Sequence, residues 1–270
     1  MTATVGDVLV VGAGTMGAGI AESMLLAGAR VAVVEPNGGA ADRLLTRLRK
    51  VLDVDALGRL TVASGVGDAG GIELAIEAVP EDVELKRQVL SALEDVVSGD
   101  CLLASNTSSL SIDAMADGLR RPDRFIGMHF FNPVPKSALV ELVVGSRTVP
   151  ATVAAARRWV ELLGKECIEV RDSPGFATSR LGVAIGIEAV RMLEEGVASA
   201  HDIDRGMELG YRFPMGPLRL TDLIGLDVRL AIAEHLALTL GPRFEPPQLL
   251  RAKVAAGELG RKTGKGFYEW

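Results

Sequence analysis

The chain holds three histidines, His129, His201 and His235, and only one stands where a proton could usefully be moved. His129 lies near the end of the run Phe125-Ile-Gly-Met-His-Phe-Phe131, just before Asn132-Pro133. A run apolar on both faces reads as a buried strand, and open α/β sheets gather their ligands at the carboxyl ends of strands. A desolvated imidazole there can exchange a proton near neutral pH. Glu141 follows twelve residues later, inside the otherwise apolar Ala138–Val144. A lone carboxylate in an apolar strand is costly, and an imidazole is its natural partner. Such a pair would orient the ring and stabilise the imidazolium. The same two residues could instead form a buried pair of purely structural value. His201 opens a helix beside Asp202, where a polar cap is expected, and His235 reads as a packing or surface residue.

A second constellation binds rather than reacts. Gly12-Ala-Gly-Thr-Met-Gly17 follows the buried run Val8–Val11 and opens a helix. In that context a GxGxxG reads as a dinucleotide fingerprint. Gly12 permits the tight turn, Gly14 lets the backbone approach a pyrophosphate, and Gly17 lets helix and strand pack closely. The N–H groups of Thr15, Met16 and Gly17 then face the phosphates at the positive end of the helix. Glu35 ends the next strand, 23 residues after Gly12. Its carboxylate can accept the adenosine ribose hydroxyls and would repel a 2′-phosphate, which argues for NAD over NADP.

These residues need a scaffold, and the pattern supplies one. Strands are expected at 8–11, 30–34, 60–64, 72–79, 101–105, 125–131, 140–144 and 167–170. Helices are expected at 15–27, 40–52, 83–97 and 152–163. That alternation argues a parallel sheet covered on both faces. After Asp172-Ser-Pro-Gly175 the texture becomes helical, with segments at 176–195, 203–209, 218–223, 226–240 and 247–256. The expected fold is therefore α/β: a Rossmann-type doubly wound sheet over 1–171, then an all-α domain over 172–270.

Composition narrows the class. Hydrophobic residues at 48% and charged residues at 24% describe a globular chain, not a disordered one. A net charge of −6 leaves no basic excess for nucleic acid. No apolar run approaches the ~18 residues of a membrane span, and the N-terminus lacks the basic region of a signal peptide. Cys101 and Cys167 sit in apolar surroundings without metal-ligand spacing, so two reduced buried thiols in a cytoplasmic protein are expected, with no metal.

The chain resembles the 3-hydroxyacyl-CoA dehydrogenase family. The resemblance rests on VLVVGAGTMGAGIA, LAIEAVPEDVELKRQVL, LLASNTSSLSI, IGMHFFNPVPKSALVELV, KECIEVRDSPGF, MGPLRLTDLIGLDV and GRKTGKGFYEW, which run from the first strand to the C-terminus. It implies a Rossmann domain with a helical domain that forms homodimers. It also implies His129 as general base on a substrate 3-hydroxyl, Glu141 as its orienting partner, and Ser108 and Asn132 in contact with substrate and cofactor. Pro80, Glu81, Lys86 and Lys262 match the family's cofactor contacts. The implied activity is NAD-dependent oxidation of an L-3-hydroxyacyl-CoA, or the reverse reduction.

Two departures bear on the substrate. Where the family carries Asn before Arg180, this chain has Ser179, which keeps a hydroxyl but loses the amide's fixed donor–acceptor pair. The segment Pro36–Gly58 is also short for the helical arm that clamps CoA in many members. Its cations Arg43, Arg47, Arg49 and Lys50 could hold CoA phosphates or form a solvated face. Two rival readings follow: a dehydrogenase of free 3-hydroxy acids or sugar acids, and a non-catalytic NAD-binding structural protein.

Overall fold

The computed structural model describes residues 5–67, 69 and 71–270. The chain divides into two compact units, Met1–Ser173 and Pro174–Trp270.

The first unit is built on eight strands: β1 (Asp7–Val11), β2 (Arg30–Val34), β3 (Leu60–Ala63), β4 (Leu74–Glu77), β5 (Leu102–Ser105), β6 (Phe125–Phe130), β7 (Leu139–Val144) and β8 (Glu166–Arg171). They form one sheet in the order β3-β2-β1-β4-β5-β6-β7-β8. Its helices are α1 (Thr15–Leu26), α2 (Gly38–Leu48), α3 (Val54–Leu57), α4 (Val83–Val96), α5 (Ile112–Ala116) and α6 (Pro150–Leu162). The strand-order reversal between β1 and β4 is the switch point at which such sheets take their ligands. Every residue of β4, β5 and β6 is buried, as expected of strands covered on both faces. The core joins Val8, Val10 and Val33 of the sheet to Ile20, Met24 and Leu25 of α1 and to Trp159 and Val160 of α6.

The sheet is not wholly parallel. β7 runs antiparallel to β6, and β8 is parallel to β7. Only residues 131–138 join β6 to β7, too few for the crossover of a dozen or so residues that a parallel connection needs. α6 supplies that crossover between β7 and β8. As the outer strand, β8 has no fully buried residue: Cys167 and Val170 are half-buried and the other four are exposed. Cys167 is therefore half-buried rather than buried, whereas Cys101 is buried.

The segment between β2 and β3 also differs from one long helix. Asn37 accepts the Ala40 N–H at 2.9 Å and starts α2 at Gly38. α2 ends at Leu48, and Asp53 caps the short α3 by accepting the Ala56 N–H at 2.8 Å.

The second unit comprises α7 (Thr178–Glu194), α8 (Ala200–Gly210), α9 (Pro217–Ile224), α10 (Leu226–Leu240) and α11 (Gln248–Ala255). Val183, Ile187 and Val190 of α7 pack with Leu218, Leu226, Ala233, Leu236 and Leu250 in its core. The C-terminal tail is fixed by the buried Asp222, which accepts the N–H groups of Phe267 and Tyr268 and the Trp270 indole N–H at 2.8–2.9 Å. Among the described residues no helix is long and apolar enough to cross a membrane.

Candidate active site

The three glycines after β1 have three different physical reasons. Gly12 has φ +104°, and a Cβ there would lie 2.7 Å from the Ala78 carbonyl oxygen. A Cβ on Gly17 would lie 1.9 Å from the Gly12 carbonyl oxygen. Around Gly14 a Cβ would meet nothing within 4 Å. Its space is open, as a backbone that must admit a pyrophosphate requires. No side chain caps α1 at Gly14, so its first-turn N–H groups are left for an anion. A hollow of about 340 Å³ beside this turn is lined by Ala13, Gly14, Thr15, Ala18, Ala40, Arg43, Leu44 and Arg47. Glu35 holds the turn from the next strand: its carboxylate accepts the Ala13 and Asn37 N–H groups, both at 2.9 Å. These residues fit a bound dinucleotide, with the acid where the adenosine ribose would lie.

A second cluster joins the ends of β4 and β5. The carboxylate of Glu77, fully buried, accepts the Lys86 ammonium at 2.7 Å, the Val79 N–H at 2.7 Å and the Ser105 hydroxyl at 2.6 Å. Lys86 is itself fully buried and also lies 3.4 Å from Glu81. Glu81 in turn accepts the Thr107 hydroxyl at 2.6 Å and the Ser108 N–H at 2.9 Å. Burial alone would raise the Glu81 pKa. The charge of Lys86 and the bonds from Thr107, Ser108 and Lys86 outweigh it and hold the carboxyl below its ordinary range. The loop Asn106–Leu110 is thus pinned to the loop after β4 through one carboxylate.

His129 and Glu141 are register partners across β6 and β7. Their side chains therefore leave the sheet on the same face, and His129 Nδ1 lies 2.7 Å from Glu141 Oε2. Glu141 is fully buried and His129 nearly so. The Phe131 ring packs against the imidazole, with centroids 4.4 Å apart. Asn106 Oδ1 accepts the Phe130 N–H at 2.9 Å, tying the end of β6 to β5 beside the histidine. Because β1, β4, β5 and β6 are mutually parallel, their carboxyl ends share one edge. The glycine turn, Pro80-Glu81, Ser108 and His129-Asn132 all follow from that edge.

In the second unit Ser179 stands in the first turn of α7. Lys262 lies in a short turn, its ammonium 2.6 Å from both oxygens of Asp227. His201 is exposed, and the cap of α8 is Ser199, which accepts the Asp202 N–H at 3.1 Å. Among the described residues no group of histidine, cysteine and acidic side chains could hold a metal ion.

Family models match both units. Residues 7–173 match the NAD binding domain of 3-hydroxyacyl-CoA dehydrogenase and residues 175–270 match its C-terminal domain. The chain belongs to the 3-hydroxyacyl-CoA dehydrogenase family. A probable 3-hydroxybutyryl-CoA dehydrogenase of Bacillus subtilis is 40% identical, over 98% of this chain and 97% of its own length. The solved (S)-3-hydroxybutyryl-CoA dehydrogenase PaaH1 of Ralstonia eutropha superposes with a TM-score of 0.92 at 40% identity, covering 99% of each chain. FadB2 of M. tuberculosis gives the same TM-score at 39% identity, covering 99% of this chain and all of its own. The Bacillus alignment runs to 278 positions against the 270 residues here, so that relative carries residues this dehydrogenase-family chain lacks.

NAD is the cofactor of this family's first domain, and the glycine turn and Glu35 lie within the matched residues. Lys86, buried, holds Glu77 at 2.7 Å and Glu81 at 3.4 Å beside the loop after β4. Of the four cations after β2, Arg47 reaches Glu22 at 2.9 Å, while Arg43, Arg49 and Lys50 are exposed. Sequence reasoning passed over Glu77, Asn106 and Thr107, which fix the loops around the site. The signal was present: an acid ending an apolar strand, LAIE, and the polar run SNTSS after another.

Proposed function

We propose that this protein interconverts a short-chain L-3-hydroxyacyl-CoA and the 3-oxoacyl-CoA. The observation that carries the reading is the buried 2.7 Å His129–Glu141 pair at the end of β6. Nδ1 is held on Glu141, so proton exchange with the 3-hydroxyl falls to Nε2 of His129. In oxidation the imidazole takes the hydroxyl proton, and Glu141 stabilises the imidazolium that results. In reduction the same nitrogen returns a proton to the 3-oxo oxygen. When bound, NAD supplies the hydride acceptor at C3. Ser108 and Asn132 contact the reacting end of substrate and cofactor, Pro80 and Glu81 line the cofactor, and Ser179 contacts the thioester carbonyl. Lys262, whose ammonium is held on Asp227, is a further cofactor residue of this reading.

The activities named for the relatives above support a CoA thioester over a free acid. Homodimerisation through the second unit is part of the reading, supported by Leu181 and Ile185 of α7 and Leu220 and Ile224 of α9, which are exposed in the single chain. A cytoplasmic setting fits two unpaired thiols. Steady-state NADH oxidation with acetoacetyl-CoA and with free acetoacetate tests the function. The thioester is expected to have a kcat/KM at least ~10-fold higher, about 1.4 kcal/mol in transition-state binding. Better turnover of the free acid would give the case to the free-acid reading, and no turnover of either would favour a non-catalytic protein.

A further inference from the structure

Asn106 is the first residue after β5, and its backbone N–H still donates to the Glu77 carbonyl of β4 at 2.9 Å. It therefore stands at the carboxyl edge of the sheet. Its side-chain Oδ1 accepts the Phe130 N–H at 2.9 Å. A backbone N–H can only donate, so this bond fixes which end of the amide is oxygen. The other end, Nδ2, carries two donors. Among the described residues nothing accepts from Nδ2, which is open to solvent although the residue is half-buried.

The acids at this edge are already committed. Glu77 holds Lys86, Val79 and Ser105. One oxygen of Glu81 accepts from Thr107, Ser108 and Ser109, and the other faces Lys86 at 3.4 Å. The donors of Asn106 are thus left for an acceptor that arrives from solution.

Their place says which acceptor. A doubly wound sheet takes one mononucleotide on each half, on either side of its switch point. The glycine turn and Glu35 follow β1 and β2 and suit the pyrophosphate and the adenosine ribose. The nicotinamide half then falls to the ends of β4, β5 and β6, which run parallel. Asn106 ends the middle strand of these three. Through Phe130 it also holds the peptide that follows His129. The nicotinamide half carries oxygens able to accept, on its ribose and its carboxamide.

We propose that Asn106 is a further cofactor-binding residue, its Nδ2 donating to an oxygen of the nicotinamide half of NAD while its Oδ1 holds the strand of His129. One amide then sets the distance between the group that receives the hydride and the strand that carries the proton acceptor. This rests on the function proposed above for the part played by His129.

The test is binding, read by calorimetry with NADH and with ADP-ribose, which lacks the nicotinamide. Asn106→Asp keeps an oxygen for the Phe130 N–H but replaces both donors by an acceptor. It is expected to bind NADH at least ~10-fold more weakly and ADP-ribose within about threefold of the wild type, with its melting curve nearly unchanged. Asn106→Ser has no atom at either amide position and adds no charge. It should weaken NADH at least ~3-fold, again sparing ADP-ribose, and it decides the matter if the aspartate variant does not fold. Equal weakening of both ligands overturns the proposal in favour of a distorted loop. Unchanged NADH affinity with a lower kcat overturns it and leaves Asn106 as a brace for His129. Unchanged NADH affinity with a raised KM for acetoacetyl-CoA overturns it in favour of a substrate contact. Because the readout is cofactor binding, failure of the wild-type protein to turn over any thioester would refute the dehydrogenase reading without deciding this one.

Discussion

At the scale of single residues, the acids of the first unit do different work because their surroundings differ. Glu35 is half-buried and braces the glycine turn through Ala13, leaving carboxylate lone pairs for ribose hydroxyls. A 2′-phosphate would meet that charge at close range, where repulsion exceeds its value in bulk water. NAD is therefore expected to exceed NADP in kcat/KM by at least ~10-fold, about 1.4 kcal/mol. Equal values for the two cofactors would refute the role given to Glu35. Glu77 is a structural acid, and its cation Lys86 is as deeply buried as itself. Removing one partner of such a pair strands the other charge, so Lys86→Met should lose about 3–5 kcal/mol of unfolding free energy in urea. The double variant Glu77→Gln/Lys86→Met should recover part of that loss, because neither charge is then stranded. Additive losses would mean that the pair is not coupled.

At the scale of elements, the glycine turn separates packing from binding. Gly14 has extended backbone, φ −64° and ψ −175°, and open space where a Cβ would go. Gly14→Ala should melt within a degree or two of the wild type yet bind NAD at least tenfold more weakly, as calorimetry would show. Gly17→Ala places a methyl on the Gly12 carbonyl and should lower the melting temperature as well. Equal effects of both substitutions on melting would contradict this division. The sheet also shows what one sequence can and cannot convey. β1, β2 and their glycine turn were legible because apolar run, glycines and acid fall in a fixed order. The direction of β7 was not read, because an apolar run looks alike in either sense. The eight-residue link that decides it was masked by the parallel pattern before it. That antiparallel turn puts Glu141 opposite His129, the geometric cause of a pairing that the cost of a buried acid alone implies.

At the scale of the whole chain, the change from strand-and-helix alternation to helices alone marked two units, because period two and period 3.6 differ over long stretches. What stayed hidden were contacts without local periodicity: Glu77 on Lys86 and Asp222 on the tail. Each is a buried charge whose partner is set by tertiary packing. The proposed chemistry needs the sheet to hold one imidazole at one edge with its tautomer fixed by Glu141. The most direct test is the turnover of His129→Gln with acetoacetyl-CoA, alongside its NADH affinity and melting curve. A kcat lower by about 10² to 10⁴, with fold and NADH binding retained, is the predicted result for a lost general acid–base. Near-normal turnover by a folded His129→Gln protein would contradict it and make the His129–Glu141 pair structural.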